Sequence, residues 1–128
     1  MRYMLLIYLD EHALSEDERQ RCYEESTRLA WDLAASGHYL GASPLQPTAT
    51  ATSVRVRDGK ALVTDGPFAE TREQLGGFFL VEARDRGEAI ALASRIPIAR
   101  MGTVEVRPVV DFPGLPSGAA RHERETRQ

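Results

Sequence analysis

Two short runs of this chain are apolar on both faces, Tyr3-Met4-Leu5-Leu6-Ile7-Tyr8-Leu9 and Phe78-Phe79-Leu80-Val81, and each is followed by a helix-start signal. Successive side chains of a strand point to opposite faces, so a continuously apolar strand belongs in the middle of a sheet covered on both sides. Ser15-Glu16-Asp17-Glu18, after the first run, has capping-box spacing, and Asp85-Arg86-Gly87-Glu88 repeats it after the second. Cys22, Ser26, Leu29, Ala30 and Leu33 then recur at helical spacing, with Gly37 as the stop. Ala89, Ile90, Ala93 and Ile96 form the second stripe, which Pro97 ends. Cys22 falls on its stripe and reads as a core filler, not a nucleophile. Trp31 lies about 180° round the first helix from the stripe, at roughly 100° per residue. It either lies flat on the surface or anchors a subunit interface.

Between these units, Val54-Arg55-Val56-Arg57, Asp58-Gly59 and Lys60-Ala61-Leu62-Val63 spell a hairpin, because Asp-Gly suits the positive φ values of a type I′ turn. The pairing sets Val54 opposite Val63 and Val56 opposite Ala61, with Arg55 and Arg57 on the other face. His38-Tyr39-Leu40 starts a short extended piece that Pro44 and Pro47 interrupt. Thr103 to Val109 alternates apolar and polar, and Pro108 argues for a sheet edge. The order strand, helix, strand and hairpin, strand, helix, strand gives an α+β, ferredoxin-like sandwich with an inserted β-hairpin. Both helices cover one sheet face, so the other must be covered by something else. A homodimer is the expectation.

At 128 residues the chain makes one domain, expected over 1–111, with a flexible tail over 112–128 rich in Pro, Gly and charge. A net charge of −3 argues against nucleic-acid or anionic-membrane partners, which call for a basic patch. One cysteine excludes an internal disulfide, and the apolar run that Asp10 ends is too short for a signal peptide or a membrane span. The expected location is cytoplasmic. Three scattered histidines and one cysteine show no metal-ligand spacing, and no glycine-rich phosphate loop is present, so no cofactor is expected.

The candidate chemistry sits in Val63 to Phe78, which packs Asp65, Glu70 and Glu73 around Gly66-Pro67 and ends in Gly76-Gly77. Asp65 can accept backbone N–H bonds as an Asx turn. Alternatively, crowding of the three acids raises one carboxyl pKa for general acid–base work, with Glu70 and Glu73 sharing a face if the segment takes a helical turn. Arg55 or Arg72 would tune that charge, and Phe68 would either plug the fold or stack on a substrate. His38 could reach Asp65 across the sheet, or simply be an exposed histidine after a helix stop. Gly76-Gly77 would admit a close backbone approach.

Met1 to Tyr8, Thr52 to Asp58, Val63 to Phe78, Arg95-Ile96-Pro97 and Val104 to Pro108 resemble the YCII-related proteins that carry the DGPF motif. The similarity spans Met1 to about Val110. It implies a ferredoxin-like, dimeric α/β-barrel fold, and an enzymatic activity suspected to use a His–Asp pair. Asp65 stands at the motif's aspartate, whereas His12, His38 and His122 lie outside the matched stretches. Genomic linkage of the family to extracytoplasmic-function sigma factors implies a second function class. The two are thus a small enzyme with an acidic site around Asp65, Glu70 and Glu73, and a non-catalytic ligand-sensing or protein-binding module.

Overall fold

The structure, a computed structural model, describes residues 1–116. Of the expected tail, 117–128 and with them His122 lie outside the described residues. Strand β1 (Arg2–Leu9) leads to helix α1 (Glu16–Ala35) and strand β2 (Tyr39–Pro44). Strands β3 (Thr52–Arg57) and β4 (Lys60–Asp65) follow a 3-10 turn at Thr48–Thr50. Strand β5 (Gln74–Glu82), helix α2 (Arg86–Ala93), a 3-10 turn at Pro97–Arg100 and strand β6 (Thr103–Pro108) complete the order.

The first helix start forms the full capping box, and the second forms half of it. The Ser15 hydroxyl accepts from the Glu18 N–H at 3.1 Å, and the Glu18 carboxylate accepts from the Ser15 N–H at 3.0 Å. Asp85 caps α2 through the Glu88 N–H at 2.9 Å, but the Glu88 carboxylate closes on the Arg84 N–H, one residue earlier than the box requires. The end of α1 is a Schellman turn, with His38 N–H on Leu33 O and Gly37 N–H on Ala34 O. Helix α2 stops at Ala93, ahead of Pro97, which opens the 3-10 turn instead of ending the helix. That short helix also turns its faces differently from the expected stripe: Leu92 is buried and Ile90 is exposed.

Four strands form one antiparallel sheet in the order β2-β5-β1-β6, compatible with a ferredoxin-like fold, and β3-β4 form a separate two-stranded sheet. The two doubly apolar strands are the central pair, and Pro108 ends an edge strand, as expected. Strand β5 starts at Gln74, four residues before the apolar run, so Gly76-Gly77 are strand and not loop. Gly76 is the extra residue of a bulge, since Ile7 pairs Gly77 and Tyr8 pairs Leu75.

Register divides the sheet into two faces. Tyr3, Leu5 and Ile7 pair Val81, Phe79 and Gly77 on the helix side, where they bury against Cys22, Leu29 and Leu33 of α1 and Ala89 and Leu92 of α2. Leu5 and Leu33 are fully buried, each worth about 1.5–3 kcal/mol of transfer free energy. On the far side, Met4 and Leu6 pair Leu80 and Phe78, and all four are only half-buried. Among the described residues, no helix is long and apolar enough to cross a membrane.

Candidate functional site

The motif acids stand apart from one another in their surroundings. Asp65 ends β4 exposed, and no described residue donates to its carboxylate, so the Asx-turn alternative does not form. The turn is held by the backbone: Gly66, at φ 105°, donates to Ala51 O at 2.8 Å, and its carbonyl accepts from Ser53 Oγ at 2.8 Å. Residues 66–73 run as bends without a helical turn, so Glu70 and Glu73 share no helix face. Glu70, Arg72 and Arg55 are exposed, and neither arginine forms an ion pair with a motif acid among the described residues. Phe68 is 81% exposed and plugs nothing. The loop carries it away from a core already filled from β1, β5 and the helices.

Glu73 is the exception. It is half-buried, with Oε1 accepting from Thr103 Oγ1 at 3.2 Å and Oε2 buried without a hydrogen-bond partner among the described residues. His38 lies at the other end of the sheet. Its Nδ1 donates to Glu82 O at 2.8 Å, and eight residue steps of β5 put that end roughly 25 Å from Gln74 at ~3.3 Å per step. His38 therefore does not reach across the sheet to the motif end.

A well-formed cleft lies elsewhere. A cleft of about 520 Å³ opens between α1 and the β2–β5 half of the sheet. Its α1 wall carries Tyr23, Ser26, Thr27, Ala30 and Ala34, with Trp31, 74% exposed, on the rim. Its floor is Ile7 and Phe79, and its far wall is Ala42, Pro44, Gly76 and Gly77. None of the candidates Asp65, Glu70, Glu73, Arg55, Phe68, Arg72 or His38 lines it. The physical cause is a lack of side-chain volume: small residues of α1 face Ala42 and Gly77, so helix and sheet part where larger side chains would fill the gap. Gly77 could not supply volume, because a Cβ there would stand 2.9 Å from Ser43 O. Ser26 and Ala30 belong to the expected buried stripe, yet they are half-buried cleft wall. A serine and an alanine at helix positions otherwise held by leucine were the available signal.

Glu11 and Arg19 are the charged residues at the cleft. Glu11 is turned into the 3-10 turn, with Oε1 accepting from Thr48 N–H and Oε2 from Thr48 Oγ1, both at 2.8 Å. Arg19, half-buried, donates through Nη2 to the Glu11 backbone carbonyl at 3.1 Å. Cys22 also borders the cleft, and burial, with Glu25 second, pushes its thiol pKa up, so it stays protonated near neutrality.

A family model described as the YCII-related domain matches residues 1–113. The uncharacterized protein R00369 of Rhizobium meliloti (strain 1021) is 36% identical over 124 residues, covering 91% of this chain and 100% of that relative.

Proposed function

The chain belongs to the YCII-related domain family, and on that footing we propose that it is a binding module for a small, largely apolar molecule held between α1 and β2–β5. The observation that carries this is the 520 Å³ cleft, whose size lies within the range of small-molecule sites and whose walls are mostly apolar with a few polar groups. The sole tryptophan, Trp31, sits on its rim and reports occupancy directly. Titration with the neutral probe N-phenyl-1-naphthylamine should give saturable, one-to-one changes in Trp31 emission. Ala42→Leu, which adds volume to the cleft wall, should abolish them without lowering the melting temperature. Absence of saturable binding, or binding indifferent to Ala42→Leu, overturns the reading. Ligand sensing alongside a transcriptional partner is the role such a module would serve.

A second reading, proton transfer at the motif end, is favoured by the buried Oε2 of Glu73, which has no hydrogen-bond partner among the described residues. It assigns Glu73 the acid–base role, while Asp65 and Glu70 are exposed. We also propose a homodimer that covers the half-buried face of Met4, Leu6, Phe78 and Leu80, since a patch of this kind on a central sheet rarely stays in water.

A further inference from the structure

Resting on the reading that the cleft binds a small apolar molecule, we infer that its ligand is a monocarboxylate whose carboxylate is held by Arg19. Among the described residues, two charged side chains line the cleft, and one of them is spent: both Glu11 oxygens are engaged by Thr48. Arg19 uses one N–H on a neutral carbonyl, and no described carboxylate forms an ion pair with it. The acids of the first α1 turn, Glu16, Asp17 and Glu18, are exposed, and Glu18 is occupied with Ser15.

A guanidinium offers five donors in a planar fork, so most of Arg19's donor capacity is left at the edge of an apolar space. The group that satisfies such a fork is a carboxylate, bound through two parallel charge-assisted hydrogen bonds. Charge balance argues against a phosphate. One guanidinium neutralises one charge, and a dianion would leave a net negative charge desolvated against Leu9, Leu14 and Phe79. The rest of the ligand meets these apolar side chains, together with Tyr23 and Trp31 at the rim. Aliphatic or aryl carboxylates with one charged end satisfy both demands.

Octanoate, 1-octanol and octyl phosphate share one tail and differ in the head, so titrating each against the full chain through Trp31 emission isolates the head group. The expected order is octanoate tighter than 1-octanol by about tenfold or more, the scale of a charge-assisted pair, with octyl phosphate below octanoate. Arg19→Gln should bring octanoate down to the affinity of 1-octanol, and Arg19→Lys should fall between. Far-UV circular dichroism establishes that each variant is folded. Should Arg19→Gln fail to fold, the order of the three ligands on the unaltered chain and the Lys variant decide the matter. Equal binding of octanoate and 1-octanol, tighter octyl phosphate, or a preference that survives Arg19→Gln overturns the carboxylate assignment and leaves the cleft reading standing. Failure of all three ligands to bind while N-phenyl-1-naphthylamine still binds overturns the carboxylate assignment alone, and failure of all four removes both.

Discussion

A methyl group added at Gly102 has nowhere to go. Its Cβ would stand 2.3 Å from Tyr8 O, 3.0 Å from Ile98 Cγ2 and 3.3 Å from Leu9 Cα, and two of these three are backbone atoms that cannot rotate aside. Gly102→Ala should therefore destabilise by about 1–3 kcal/mol, the cost of overpacking, read from the denaturant midpoint. Gly41→Ala, with open space where its Cβ would stand, should stay within about 0.5 kcal/mol. Of such constraints the sequence disclosed those that a residue imposes on its own neighbourhood. Asp58-Gly59, at φ 52° and 74°, forms the expected turn, and Gly77 makes the expected close approach. Gly102 gave no sign, because what crowds it is brought from β1 by the register of β6. The Asx turn at Asp65 fails for a local reason: Gly66 gives its N–H to the Ala51 carbonyl, and Pro67, the residue whose N–H an Asx turn would use, has none.

Helices declare themselves through local bonds, side chain to backbone at both starts and backbone to backbone around Gly37 at the end of α1, so all three were legible. The same cap gives α1 a pH signature. The Ser15 N–H holds the Glu18 carboxyl below its ordinary 4.5, and the hydrogen bond from Arg100 does the same for Glu25. Both folded values are depressed, so this stabilisation is complete above about pH 4.5 and is lost as pH falls through the folded values. The melting temperature should fall on acidification below that point, and Glu18→Gln or Glu25→Gln should flatten the fall. A pH profile unchanged in both variants would contradict it. What single elements cannot declare is a space between them. The cleft exists because Ser26 and Ala30 meet Ala42 and Gly77, residues joined only through the β2–β5 pairing.

For the whole molecule the decisive surface is the sheet face left by its helices. If a second copy covers Met4, Leu6, Phe78 and Leu80, light scattering should give twice 14.2 kDa, and Leu6→Glu should return it to 14.2 kDa. A mass of 14.2 kDa across dilution excludes the dimer. The face was foreseeable from two doubly apolar strands and two helices on one side, whereas its occupant is not a property of one chain's sequence. The hairpin raises a different matter. It shares no ladder with the main sheet, and Val54, Val56 and Val63 are exposed on it. A lone two-stranded ribbon is marginal in water. Its amides should therefore exchange with deuterium through a local opening that costs far less than global unfolding, while those of β1 and β5 exchange only when the whole domain opens. Substitutions that lower global stability should speed exchange in the central strands and leave the ribbon's rate where it was.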